Sequence, residues 1–399
     1  MKKKVLLLCA SHNDLGMIRA LRKLGCYIIA TGNVPDLVGQ KEVDQYIQAD
    51  YSDKERILEI ARTEKIDLIC QCCNDYGVYT AAYVAEKLGL PGYDSYQTTL
   101  LLHNKDRFKE FALEQNILSP VSHSFEKEEE ALQWLKTAEY PLIVKPTDAS
   151  AGNGIHRLEC LEEADQIVKC AFSKSKVHRI VMEPFIHGSQ HGFCTFLCDQ
   201  KVVAYCSNNE YSIVNPYRVE IDTFPADNEE ECKEILIRQI EKMADILKLH
   251  DGIFHLQYIM SHGIPQIIEV MRRVPGNMYF VPGSLSSGVD WEYWEARARC
   301  GLSCKGISST ENTTPFYAYK TILAEKNGVI QKITISDQYK QYQYDSFFLR
   351  KEGDRIENYK SQPVGFLFLK FSSQEQMKRV LIEEYQNGMV EMKETGAYE

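Results

Sequence analysis

Residues 4–10 form an apolar run that Ser11, His12, Asn13 and Asp14 end abruptly. Residues 15–24 then carry apolar side chains at helical spacing up to Gly25, and 27–31 make a second apolar run closed by Gly32 and Asn33. A third short strand is predicted at 45–49, a helix at 54–63, a strand at 67–72 and a helix at 78–88 capped by Gly89. Strands alternating with helices in this way predict a parallel sheet. Such sheets bind ligands beyond the carboxyl ends of their strands, so Ser11, His12, Asn13, Asn33, Asn74 and Asp75 line one candidate edge. Loop and cap chemistry asks for the same residue types, and both readings stay open. No G-x-G-x-x-G follows the first strand, which leaves a dinucleotide site with little support.

The pattern changes at Thr98, where a long helix is predicted through Gln115, carrying Lys105, Arg107 and Lys109, before a β-rich stretch from Val121. A strand over 141–146 runs into Thr147-Asp148-Ala149-Ser150-Ala151-Gly152-Asn153-Gly154. Small residues and two glycines pack little, but they let backbone N–H groups come close to phosphate oxygens, as a lid over a triphosphate requires. A plain hairpin loop would have the same composition. Strands are predicted at 179–185, 193–197 and 201–206, the last two joined as a hairpin by Asp199 and Gln200. An amphipathic helix at 230–249 precedes strands at 252–260 and 265–273. Alternation puts His255 and Gln257 on one face of the first, and Glu269, Met271 and Arg273 on one face of the second if it extends that far. Charged groups amid apolar neighbours need a partner, because an unpaired buried charge is costly. A structural salt bridge between Glu269 and an arginine and a metal and phosphate site both satisfy that need, and the second is preferred. The remainder reads as strands and turns, including 328–335 and 362–371, with a helix at 373–383.

With 399 residues the chain is too long for one core and fits about three modules. It is 44% hydrophobic and 26% charged without a polar or repetitive tract, which excludes disorder as the main state. A net charge of −10 with no basic stripe argues against nucleic acid. Three lysines ahead of residues 5–10 imitate a signal peptide, but the apolar run is too short, and no later segment is suited to cross a bilayer. A buried first strand is expected. The 13 cysteines are odd in number and read as reduced cytosolic thiols; Cys70, Cys72 and Cys73 cluster, but no second pair at zinc-like spacing follows.

Taken together, these segments resemble the ATP-grasp superfamily, in particular its carboxylate-amine ligase branch with biotin carboxylase and the large subunit of carbamoyl-phosphate synthetase. The resemblance implies a mixed α/β and α+β architecture: a Rossmann-like parallel-sheet leading domain over 1–95, an ATP-grasp domain over 96–305 and a small β-rich trailing domain over 306–399. It carries the family's two phosphate lysines onto Lys105, in Asn104-Lys105-Asp106-Arg107, and Lys145, in Leu142-Ile143-Val144-Lys145-Pro146. The glycine-rich lid falls on Ser150, Ala151, Gly152, Asn153 and Gly154, and the adenine hinge on Glu183, Pro184, Phe185 and Ile186. Gln190 stands where a ribose-binding glutamate is usual; an amide can still accept a hydroxyl hydrogen bond. Magnesium ligands map to Gln257 and Glu269, and Arg273 retains the arginine that binds the substrate carboxylate or the transferring phosphoryl group. Where the family reads E-x-N-P-R, this chain reads Glu269-Val270-Met271-Arg272-Arg273. A thioether is a poor Mg²⁺ ligand, so either water replaces it or another oxygen donor such as Asn277 serves.

What the resemblance implies is an ADP-forming ligase using ATP and Mg²⁺, with Lys145 and Arg273 as its catalytic residues. It would phosphorylate a small-molecule carboxylate to an acyl phosphate and pass it to an amine or similar nucleophile. The expected location is cytoplasmic, with neither nucleic acid nor membrane as partner, and a homodimer is compatible. Two alternatives remain: a nucleotide-binding module without turnover, suggested by Met271 and Gln190, and a biotin-carboxylase-like enzyme acting on bicarbonate.

Overall fold

A computed structural model describes residues 2–149, 152–309 and 315–393. Strands and helices are numbered in chain order. The leading segment alternates β1 (Lys4–Leu8), α1 (Leu15–Lys23), β2 (Tyr27–Gly32), β3 (Gln45–Gln48), α2 (Lys54–Glu64), β4 (Leu68–Cys70) and α3 (Asp75–Leu88). The strands form a parallel sheet in the order β3-β2-β1-β4. Val5 to Leu8 are fully buried, as a strand covered on both faces requires. Asn74 accepts the Tyr76 N–H at 3.0 Å to cap α3, which ends at Gly89 with φ 64°.

The helix predicted from Thr98 to Gln115 is two helices, α4 (Tyr96–His103) and α5 (Lys105–Glu114). Asn104 breaks it. Its backbone is extended (φ −87°, ψ 121°), its N–H and Nδ2 both donate to Leu100 O, and its own carbonyl accepts from Phe108 N. An asparagine that satisfies a helix end with its own side chain leaves the apolar period on either side untouched, so periodicity alone does not see the break. The consequence is local: Lys105 becomes the first residue of a new helix.

Beyond it come β5 (His123–Phe125), α6 (Glu128–Leu135), β6 (Leu142–Pro146), β7 (His156–Leu158), α7 (Ala164–Lys174) and β8 (Ile180–Pro184). The stretch expected to be β-rich thus contains a helix, with Glu128, Glu129 and Glu130 at its positive end and Ala131 and Leu135 buried. The four strands make an antiparallel sheet ordered β5-β8-β6-β7, whose Val144 and Met182 share a core with Ala131 and Leu135 of α6 and Val168 and Phe172 of α7.

A second antiparallel sheet takes in β9 (Ser189–Cys198), the start of β10 (Lys201–Tyr211), β12 (Gly252–Ser261) and β13 (Ile264–Met271), with α8 (Glu229–Leu247) packed on it. The strand predicted at 265–273 ends early, at Met271, so Arg273 follows the strand instead of lying on it. Helix α10 (Trp291–Arg299) packs on α1 and β12. All of these belong to one compact unit comprising 1–205, 230–278 and 290–308.

The second unit comprises 206–229, 279–289 and 309–399. It holds the end of β10, β11 (Ile221–Phe224), α9 (Phe280–Ser287), β14 (Phe316–Ile322), β16 (Gln343–Phe348) and β18 (Gly365–Phe371), ordered β10-β11-β14-β18-β16. A small sheet ordered β17-β15-β19 joins Arg355–Ile356, Gly328–Ile333 and Val390–Lys393. Helices α11 (Asp337–Lys340) and α12 (Gln374–Lys378) complete it, and a π-helical turn, Arg379–Glu383, follows α12. Among the described residues no helix is long and apolar enough to cross a membrane.

Candidate functional site

Lys145 lies near the end of β6, directly across the antiparallel ladder from β8. Its ammonium meets Glu183 Oε1, while Lys109, from α5, meets Oε2 of the same carboxylate at 2.9 Å. Glu183 is 3% exposed in its side chain, Lys109 3% and Lys145 12%. Burial opposes ionisation of Glu183, but the two ammonium charges prevail and hold it down at about 2. For Lys109 burial prevails, aided by the like charge of Lys145, and brings it down to about 8. Lys109 also donates to Ser119 Oγ at 2.9 Å and to the Ile267 carbonyl at 3.4 Å. Lys109 was not among the residues singled out for chemistry. The available signal was its place four residues after Lys105, on a helix face otherwise marked by Phe108 and Ala112.

Because Asn104 ends α4, Lys105 turns toward the loop after β6. Its backbone N–H donates to Thr147 O, its Nζ donates to Ala149 O at 2.8 Å, and its Nζ lies 3.2 Å from Glu269 Oε1. Burial lowers the affinity of Lys105 for its proton, yet Glu269 and Asp75 together raise it. Gln257 stands opposite Glu269 across β12 and β13, beside a register shift at Gln257/Tyr258. The two predicted metal ligands are therefore neighbours, and Lys105, predicted to contact phosphate, pairs with one of them. Among the described residues no group of three or more His, Cys, Asp or Glu could hold a metal ion. Two oxygen donors suit Mg²⁺, which keeps several waters and takes phosphate oxygens for the rest, better than a metal that needs a full protein cage.

The glycine-rich loop is anchored at both ends. Thr147 N–H donates to Arg179 O, Asp148 accepts from Ser175 Oγ and the Lys176 N–H, and Gly154 (φ 76°) leaves no room for a Cβ, which would lie 2.8 Å from Lys174 and Pro146. Gly152 is left-handed as well, φ 74°, and its carbonyl accepts from Ile155 N–H. Ser150 and Ala151 lie outside the described residues. Amide exchange should separate the parts: protection at Gly152, Asn153 and Gly154 is expected to rise at least about tenfold with Mg²⁺ and a non-hydrolysable ATP analogue, while Thr147 stays protected throughout. Equal protection with and without the analogue would remove the lid assignment.

In the segment predicted to be the adenine hinge, Glu183 points inward to the lysines and Phe185 N–H is taken by Pro141 O at 3.0 Å. Pro184 has no N–H. Ile186 is then the hinge residue whose N–H has no hydrogen-bond partner among the described residues. The Arg157 guanidinium stacks 4.0 Å over the Phe185 ring. Gln190 is half-buried on β9, paired with Ile259.

Arg273 donates from Nε to Asp75 Oδ1 at 2.7 Å and from Nη1 to Val274 O. The same Asp75 oxygen accepts from His103 Nδ1 at 3.1 Å, and His103 Nε2 accepts the Arg272 N–H, which fixes a neutral ring with its proton on Nδ1. Burial works against ionised Asp75, but the Arg273 charge holds its carboxyl well below the usual range. Arg272 is buried and pairs with Asp94 at 2.9 Å. Met271 is buried opposite His255, which burial and the Arg273 charge bring down to about 3. Of the leading-sheet edge, Asp75 thus joins the site, Asn74 caps α3, Ser11 bonds Asp14, Asn13 accepts the Met278 N–H, and Asn33 is exposed. His103 carried no signal in the sequence. Cys70 and Cys72 are buried, with thiols pushed up by burial, as core cysteines.

A parallel leading sheet followed by two antiparallel sheets that share lysines and carboxylates defines the ATP-grasp class of fold. Residues 103–215 match the family model described as phosphoribosylglycinamide synthetase, ATP-grasp (A) domain. That segment is therefore similar to an ATP-grasp domain, and the chain as a whole shares the ATP-grasp fold of the solved structures below. Carbamoyl phosphate synthase large chain from Pasteurella multocida (strain Pm70) is 23% identical over 340 residues, 80% of this chain and 31% of that protein. The chain therefore spans less than a third of that relative's length. L-amino acid ligase from Bacillus licheniformis superposes with a TM-score of 0.83 at 20% identity, over 98% of this chain and 99% of that one. The biotin carboxylase domain of Hydrogenobacter thermophilus 2-oxoglutarate carboxylase, in complex with MgADP, ADP and bicarbonate, gives 0.77 at 18% identity, over 98% and 92%.

Proposed function

We propose that the chain is an ATP-dependent ligase that phosphorylates a small-molecule carboxylate and joins it to an amine or similar nucleophile, releasing ADP and phosphate. The observation that carries this reading is the convergence of Lys105, Lys109, Lys145, Glu183 and Glu269 in ion pairs beside the start of the glycine-rich loop, where Lys105 Nζ donates to Ala149 O. Five charged groups brought together from one helix and three strands suit a site for a polyanion better than they suit a packed core. In this reading residues 1–95, 96–305 and 306–399 are the leading, ATP-grasp and trailing domains of a cytoplasmic enzyme.

The roles are those that the family resemblance assigns to these positions. Lys105 and Lys145 neutralise phosphate oxygens, Gly152, Asn153 and Gly154 offer backbone N–H groups to them, and Ile186 donates to adenine while Gln190 receives ribose. Gln257 and Glu269 would hold Mg²⁺, which supplies charge neutralisation between the phosphates. Arg273, fixed at Nε by Asp75, presents the far side of its guanidinium to the carboxylate or the moving phosphoryl group. Positioning and charge neutralisation carry the rate, and no enzyme nucleophile is needed.

The products test the reading. With a carboxylate and amine found by screening for ADP release, ADP and phosphate are expected one for one with ligated product. AMP as the stoichiometric product would exclude an acyl phosphate. ATP consumption with bicarbonate and no amine would favour the carboxylase-like alternative, and no consumption with any pool would favour binding without turnover, for which Met271 at the strand end is the supporting feature.

A further inference from the structure

A buried carboxylate cannot be left without a cation. If Lys145 turns to a phosphate, as the proposed function requires, Glu183 loses one of its two partners while remaining 3% exposed. Removing a partner from a buried ion pair is among the more destabilising changes a core can suffer. Lys145 could therefore serve a nucleotide only if something else keeps Glu183 satisfied.

Lys109 is placed to do this. Its ammonium lies 2.9 Å from the other carboxylate oxygen, an ion pair without hydrogen-bond alignment, it is as buried as Glu183 itself, and its hydrogen bonds go elsewhere. One goes to Ser119 Oγ, which in turn donates to the Ile267 carbonyl at 2.8 Å, and one goes to that carbonyl directly. A hydroxyl that accepts from the ammonium while donating onward uses both of its capacities, so Lys109 is tied to the β13 backbone. Lys145 has no such tether among the described residues and is four times more exposed, 12% against 3%. The two lysines are not equivalent: one is fixed below the carboxylate, the other sits at the margin.

We infer that Lys109 is a positioning residue of the nucleotide site, the permanent counter-ion of Glu183 that leaves Lys145 available to bind phosphate. It touches no phosphate itself. This inference rests on the nucleotide site proposed above, and the variants below separate its failure from that of the site. The charge balance is simple: without nucleotide, two ammonium groups share one carboxylate; with nucleotide, Lys109 keeps the carboxylate and Lys145 faces the polyanion. Substituting Lys109 by a neutral residue would make Lys145 the only cation left for Glu183.

The experiment is isothermal titration of the full chain with Mg-ADP. Lys109→Met is expected to weaken binding about 10- to 100-fold, because Lys145 is then held back by Glu183. Adding Glu183→Gln to Lys109→Met should bring the affinity back to within about threefold of wild type, since an amide needs no cation. A role confined to packing would not give that rescue. The pH profile is an independent readout, and it uses only folded wild type and Lys109→Arg. The charges facing Lys109 are Glu183 from β8, Lys145 from β6 and Glu269 from β13. Lys109, brought down to about 8 by burial and by Lys145, loses its proton as pH rises past that value. Wild-type affinity should then fall between about pH 8 and 9.5, whereas Lys109→Arg, always charged, should stay flat. If Lys145→Ala leaves Mg-ADP affinity unchanged, the nucleotide site itself is misplaced. If Lys145→Ala weakens binding but Lys109→Met does not, or the double variant is no better than the single, the counter-ion role is overturned. A wild-type affinity constant from pH 7 to 9.5 overturns it as well, even if Lys109→Met fails to fold.

Discussion

Lys145→Ala is expected to weaken Mg-ATP binding by about 10- to 100-fold, the loss of one charge-assisted contact of about 1.5–3 kcal/mol. The effect should be conspicuous in thermal denaturation. At a ligand concentration about 100 times Kd the wild type gains about 2.7 kcal/mol, while a variant whose Kd has risen about 100-fold gains about 0.4 kcal/mol at the same concentration. The fold should survive the change, because Glu183 keeps Lys109 at 2.9 Å when Lys145 is removed. Midpoints with and without Mg-ATP, read beside a direct titration, check both statements. An unchanged affinity would place the nucleotide elsewhere in the chain.

Glu269→Gln should act on the rate instead. Turnover is expected to fall about 100- to 1,000-fold and Mg-ATP affinity less than about tenfold, since charge at this position matters most when charge moves on the phosphoryl oxygens. The amide retains an oxygen donor next to Gln257 but loses the charge that now pairs with Lys105 at 3.2 Å. Steady-state rates at saturating ATP, with Mg²⁺ titrated in both proteins, give the comparison. Equal losses in rate and affinity would mean that Glu269 does no more than hold the nucleotide.

Much of the framework was legible from local pattern. Apolar runs alternating with helical periods predicted the parallel leading sheet, because a strand covered on both faces must be apolar throughout, as Val5 to Leu8 are. Asp199 and Gln200, both with φ above 50°, make the hairpin turn expected between two predicted strands. Gln257 and Glu269 were assigned to adjacent strands by sequence resemblance, and the register sets them opposite one another.

The misses have a common cause. The break at Asn104 arises from side-chain bonds to a helix end, which leave the apolar period intact on both sides. The shorter β13 and the capture of Arg273 by Asp75 join residues 198 positions apart, and no local window contains both. Lys109 is the sharpest case. In the sequence it is one more lysine on an amphipathic helix, where the default is a solvated head on an apolar stem.

By itself, then, the sequence determined the order of strands and helices, the glycine turn after β6, and the residue types that a nucleotide and a divalent cation require. Those features depend on near neighbours and on side-chain chemistry, which a linear sequence displays. Only the tertiary structure decided which charges are paired: Glu183 with two lysines from different elements, Lys105 with Glu269, and Asp75 with His103 and Arg273. Pairing of that kind is set by the cost of burying a charge, and burial exists only once distant segments have packed.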